Sequence, residues 1–202
     1  MTIKAIIWDV GGVLERTLDF GPRAALAARF GWDMNDLMDL FFGKRDDYRI
    51  QLGKVSRKAH LENIAQALGV PDTEIPKIWG GFFAGDKLDY ALVDEIRTLK
   101  AHYTTAILSN YGKILRKQVE QEWQIGDAFD HLIISAEVGV MKPDPAIFQI
   151  ALEKIGCQPQ EAVFLDDVLE NIKAAQAVGL HAIWFKSPEQ ALAELHNLLN
   201  MN

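Results

Sequence analysis

The chain is short of cysteine, of long apolar runs and of positive charge. One cysteine, Cys157, stands among 202 residues. It cannot form an internal disulfide, so nothing points to an oxidising compartment. No apolar run is long enough to cross a bilayer. The first apolar run is broken by a carboxylate at Asp9, unlike a signal peptide. Repeats and low-complexity tracts are missing. Lys and Arg number 21 against 28 Asp and Glu, a net charge of −7. That excludes a general nucleic-acid binder, which needs clustered positive charge. A small anionic substrate is not excluded, because a few placed cations and a metal reverse the local field. These absences leave a cytoplasmic protein, without membrane or nucleic-acid partners, as the expectation.

What is present is ordinary globular material, 49% apolar and 24% charged, long enough for one sizeable core or a core with a small satellite. The organising stretch is Ile3 to Leu14. Ile3–Trp8 is short, β-branched-rich and apolar on both faces apart from Lys4, which reads as a buried parallel strand. Asp9 follows at its carboxyl end, where open α/β sheets place their ligands. Gly11 and Gly12 let the backbone turn tightly there.

From Thr17 to about Asp86 no convincing strand is found. Arg23–Phe30 and Met34–Phe42 read as helices, with Gly31 as a stop and Asp33 as an N-cap. A third runs from Ser56 to Leu68, closed by Gly69. A short one starts at Pro71-Asp72 and runs to Trp79, before a flexible exit through Gly80-Gly81 and Gly85. From Asp86 onward strands and helices alternate. Strands are expected at Thr104–Leu108, Leu132–Ile134, Ala162–Leu165 and Ala182–Phe185. Helices are expected at Tyr90–His102, Lys113–Trp123, Pro145–Ile155, Glu170–Val178 and Pro188–Leu199. That alternation predicts an α/β fold, a Rossmann-like parallel sheet with helices on both faces. The core would comprise residues 1–15 and 87–202, with a helical cap inserted over 16–86.

Asp9, Ser109 and the pair Asp166-Asp167 each follow an apolar strand directly. Parallel, adjacent strands would gather them on one rim of the sheet. Lys142 sits in Gly139-Val140-Met141-Lys142-Pro143-Asp144-Pro145, just before a helix start. Each has a plain structural reading taken singly: Asp9 as a turn residue, Ser109 as a helix cap, Lys142 as a solvated surface lysine, Asp166-Asp167 as a helix start that suits the dipole, Asn171 as a brace. Their joint occurrence in this order is what argues against those readings.

With these residues the chain resembles the haloacid dehalogenase-like hydrolase superfamily, in WDVGGVL, ILSN, GVMKPDPAIF and FLDDVLEN, and over nearly its whole length. The resemblance implies a Mg²⁺-dependent phosphatase acting on a small phosphorylated metabolite, with Asp9 as the nucleophile that forms an aspartyl-phosphate. It makes Asp9, Asp167 and the Gly11 carbonyl metal ligands, with Asp166 binding directly or through water. Ser109 and the Asn110 amide would hold phosphoryl oxygens, and Lys142 would bind both that group and Asp9.

One position departs from the family pattern. Most of its phosphatases carry a second Asp two residues after the nucleophile, as general acid and base. Here Gly11 stands there. The subgroup with Gly at this point resembles small sugar-phosphate phosphatases, so a sugar phosphate with a good leaving group is the expected ester. Glu15, Arg16 and Asp19 are candidate substitutes for the missing acid. A 2-haloacid dehalogenase chemistry is the alternative, since it needs neither acid nor metal. The retained acidic pair argues against it. A catalytically weak ligand-binding relative is the third reading. Substrate choice is expected in the cap, with Arg16, Lys44, Arg45, Tyr48, Arg49 and Trp79 as candidate contacts and hinges near Glu15–Phe20 and Gly80–Asp86. A monomer or homodimer is expected.

Overall fold

A computed structural model describes residues 2–200. At its centre lies β1 (Ala5–Trp8), with every side chain buried. It pairs in parallel with β4 (Thr104–Ser109) on one side and β6 (Ala162–Asp166) on the other. β5 (His131–Ile134) and β7 (His181–Trp184) complete a five-stranded parallel sheet of order β5-β4-β1-β6-β7. Side chains alternate between its faces. Ile6 and Trp8 join α5 (Tyr90–Lys100), α6 (Ile114–Lys117) and α10 (Pro188–Asn200) through Leu92, Leu115 and Leu195. Ala5 and Ile7 join α8 (Pro145–Ile155) and α9 (Leu169–Val178) through Phe148 and Ile172. Both faces are therefore covered, as an all-parallel sheet requires.

Register does the positioning. Trp8 lies level with Ile107 of β4 and with Leu165 of β6. The next residues along, Asp9 and Asp166, leave adjacent strands at one height, and Ser109 follows one residue further on β4.

The helical segment has its own apolar cluster. α1 (Gly21–Phe30), α2 (Met34–Phe41), α3 (Arg57–Leu68) and α4 (Ile75–Phe82) contribute Ala27, Leu37, Phe41, Ile64, Ile78 and Phe82 to it. Asp33 caps α2 by accepting from the Asn35 amide, and Ser56 caps α3 by accepting from Ala59. Gly31 and Gly69 end their helices in the left-handed conformation, which glycine adopts without steric cost.

Several elements depart from the sequence reading. The chain crosses between segment and sheet through an antiparallel ribbon of β2 (Glu15–Thr17) and β3 (Asp86–Leu88). Three-residue strands carry too little alternation to be read. Gly80 and Gly81 lie inside α4, because Ile75, Ile78 and Phe82 extend one buried stripe past them. The expected helix over Lys113–Trp123 is four α-helical residues followed by a π-turn at Gln118–Glu122. A short helix, α7 (Ser135–Val138), follows β5 directly.

Candidate active site

Lys142 is the hub of the strand-end cluster. Its side chain is 1% exposed and its Nζ sits 2.9 Å from Asp9 Oδ1 and 2.6 Å from Asp166 Oδ2. It also donates to the Leu108 carbonyl at 3.0 Å. A lysine this deep keeps its charge only with paired acids beside it. Asp9 and Asp166 outweigh desolvation and hold the ammonium above its ordinary pKa. The loop bearing Lys142 is clamped by Asn110, which accepts from the Lys142 amide and donates to the Lys142 carbonyl, both at 2.8 Å. Ser109 and Asn110 at the end of β4 thus flank the lysine.

Asp166 is fully buried. Besides Lys142 it accepts from the Val168 amide at 2.8 Å, and Asn171 donates to both its oxygens at 3.0 Å. Asp167, the next residue, is exposed; Trp184 donates to its backbone carbonyl at 2.9 Å, and its carboxylate accepts from no other described residue. It packs against Gly12: a Cβ there would stand 2.0 Å from Asp167 Oδ2, at a backbone φ of 76°. The turn after β1 brings Asp167 close because position 12 has no side chain.

One oxygen each from Asp9, Asp166 and Asp167 lies within 4.8 Å of the others. Three carboxylates face one ammonium here, an excess of negative charge that a divalent cation neutralises. All-oxygen donors suit Mg²⁺. The strain of the uncompensated charge shows in the acids. Burial pushes the Asp9 carboxyl up to about 7, with Lys142 opposing and Asp166 reinforcing. Partial burial of its carboxyl, and then Asp166, raise Asp167 although the residue reaches the surface. Asp9 Oδ1 is held by the Val10 amide at 2.7 Å and by Lys142, which leaves Oδ2 without a partner among the described residues.

Asp9, Gly11, Ser109, Asn110, Lys142 and Asp167 all line one cavity of about 1100 Å³ between sheet edge and helical segment. Asp166 is not among its walls and lies behind Lys142. Arg16 lines the cavity, yet its guanidinium is ion-paired with Asp89, the cap of α5. Trp79 lines it as well. Lys44, Arg45, Tyr48 and Arg49 do not. Lys44 pairs with Asp39 and Arg45 lies over Trp32, so this charge run forms a surface turn. Asn171, which the sequence offers as a cap or brace of the last motif, braces Asp166 from the first turn of α9, five residues further on. Ser135 gave no signal: it donates to the Gln51 carbonyl at 2.6 Å and ties residues 50–53 down onto the sheet edge.

Sheet order and register define a Rossmann-like α/β fold, and this lysine-centred acidic cluster lies at the carboxyl ends of its strands, where such folds place their ligands. Residues 3–179 match the haloacid dehalogenase-like hydrolase model, and the chain belongs to that family. It is 46% identical over 71 residues to acyl-CoA dehydrogenase family member 10 of Mus musculus, a match covering 35% of this chain and 7% of that protein. The chain therefore spans a small fraction of that relative's length. It is 26% identical to the sesquiterpene phosphatase astK of Aspergillus oryzae over 98% of this chain and 97% of that one. Among solved structures, a HAD family enzyme of Bacteroides thetaiotaomicron in complex with magnesium and inorganic phosphate superposes with a TM-score of 0.75. It shares 26% identity over 91% of this chain and 94% of that one.

Proposed function

We propose that this chain is a Mg²⁺-dependent phosphatase that hydrolyses a small phosphate ester through an aspartyl-phosphate at Asp9. The observation that carries the reading is the meeting of Asp9, Asp167 and Lys142 on the floor of one cavity, with Asp166 locked behind them. The phosphatase and magnesium–phosphate relatives above support it.

Asp9, Asp167 and the Gly11 carbonyl are the ligands with free acceptor capacity, and Asp166 completes the acidic set. Mg²⁺ held there supplies positive charge against the phosphoryl oxygens. The chain's own residues do the rest. Asp9 attacks phosphorus, so an Asp9 O–P bond forms as the ester P–O bond breaks and the alcohol departs with a proton from solvent. Water then attacks the same phosphorus, returning Asp9 as a carboxylate and releasing phosphate. Two moderate displacements replace one difficult one. Lys142 holds the carboxylate in line and offsets charge on the transferring group, as do the Ser109 hydroxyl and the Asn110 amide. Asp166, bound on every side, and Asn171 act as positioning residues for Lys142. The helical segment serves as a cap that excludes water and selects the ester.

A metal-free halide displacement gains nothing from Asp167 beside the nucleophile. Phosphate release across an ester panel, with Mg²⁺ and with chelator, tests the reading, with Asp9→Asn as the blank. Metal-dependent release that vanishes in the blank is expected. Halide release from 2-haloacids without metal would overturn it.

A further inference from the structure

We propose that the cavity above Asp9 takes a phosphate ester whose organic part is bulky and apolar rather than a sugar. This rests on the phosphatase reading of Asp9 and Lys142 and adds the chemistry of the leaving alcohol.

The cavity, at about 1100 Å³, lies just above the roughly 300–1,000 Å³ range of small-molecule sites. The charged groups to which the phosphatase reading gives a role lie on the floor. Away from the floor the lining carries a set of large apolar side chains: Met38 and Phe42, Ile50 and Val55, Trp79 and Phe83. A sugar presents a hydroxyl on nearly every carbon, and each needs a donor or acceptor with spare capacity. Several polar side chains among the walls are committed to the fold. The Gln51 amide donates to the Phe42 carbonyl at 2.8 Å. His60 Nε2 is 3.0 Å from the Phe41 carbonyl. Arg23 grips both oxygens of Asp86, and Arg16 is ion-paired with Asp89. The Ser56 hydroxyl accepts from Ala59 as a helix cap.

These wall groups serve the fold, and Glu15, Thr17 and Tyr111 stand beside the apolar side chains in the lining. Lys54, Arg57 and Lys113 are exposed cations that also line it, and no carboxylate lies within ion-pair reach of them among the described residues. Their charge draws an anionic ester towards the floor without reading a pattern of hydroxyls. An apolar body would replace water along the aromatic walls, and that displacement is favourable in proportion to the area covered.

The test uses phosphate esters of primary alcohols, so that leaving-group acidity is nearly constant: glycerol 3-phosphate, glucose 6-phosphate, octyl phosphate and geranyl phosphate, each with Mg²⁺. The octyl and geranyl esters should exceed the two polar ones in kcat/KM by roughly tenfold or more. Val55→Asn should shrink that ratio; Val55 belongs to none of the three apolar clusters, so folding is not at stake. In parallel, calorimetry on Asp9→Asn compares octylphosphonate with methylphosphonate, and tighter binding of the octyl compound is expected. Equal or better turnover of glucose 6-phosphate, with no octyl advantage in binding, overturns the inference and leaves the phosphatase reading standing. Tighter octylphosphonate binding with no ester hydrolysed does the reverse. Neither turnover nor an octyl advantage overturns both.

Discussion

Gly11 and Gly12 are neighbours, yet a side chain would meet opposite fates at the two. At Gly11 no atom lies within 4 Å of a Cβ and the backbone φ is ordinary, whereas at Gly12 a Cβ would collide with Asp167. The family's missing acid is therefore absent for a reason other than space. Gly11→Asp should fold, and it should raise turnover of esters with poor leaving groups by at least about tenfold, since general acids contribute roughly 10²–10⁴-fold. No gain on alkyl phosphates would show that this site does not need a proton donor at that point. Gly12→Ala should instead displace Asp167 and raise the Mg²⁺ concentration for half-activation about 10–100-fold. A Mg²⁺ titration of activity reads it. Glu15 titrates in the opposite sense from a paired acid. Burial, then repulsion from Asp86, pushes its carboxyl from 4.5 up to about 7, with Arg23 opposing. The folded chain holds a proton there that the unfolded chain releases, so stability falls as pH rises from 4.5 to 7. Glu15→Gln should gain on the order of 2 kcal/mol at pH 8 and flatten that fall. Urea unfolding at pH 5 and pH 8 checks both. Asp9, Ser109, Asn110, Lys142 and the acidic pair were legible because each ends a strand or sits on a Pro-bounded loop. The ion pair of Arg16 with Asp89 was not, since 73 residues separate the partners and no local pattern joins them.

At the scale of elements, the long runs were readable and the short ones were not. β1, β4, β6 and α8 announce themselves by apolar runs or by Pro at a helix start. The β2–β3 ribbon does not, being two charged-residue triplets brought together only by folding. The segment from 50 to 55 is likewise silent in sequence, and it forms one wall of the cavity. Gly53 adopts φ 67°, and a Cβ on it would stand 2.2 Å from the Ala136 carbonyl of α7. Ser135, next to it, binds the Gln51 carbonyl. Gly53→Val should lift this strap and lower kcat/KM about tenfold or more, because small misplacements of a closing element are costly. Ser135→Ala should do so more mildly. Unchanged kinetics in both would remove the strap from the account.

The whole molecule is a parallel sheet that delivers acids and a lysine to one rim, and a helical segment that encloses them. Register makes the first half inevitable: once β1 pairs level with β4 and β6, Asp9 and Asp166 must be neighbours. The second half lies in side chains of the segment, whose amphipathic stripes show that the helices pack but not which residues face the cavity. That is why the charge run at 44–49 was an attractive candidate and proved to lie outside it. The most direct measurement of the central claim is rapid-quench mass spectrometry of the peptide containing Asp9 during turnover of p-nitrophenyl phosphate with Mg²⁺. A phosphoryl adduct on Asp9, lost with chelator and absent in Asp9→Asn, is the predicted result. Phosphate release that continues undiminished in Asp9→Asn, or an adduct on another residue, would contradict it.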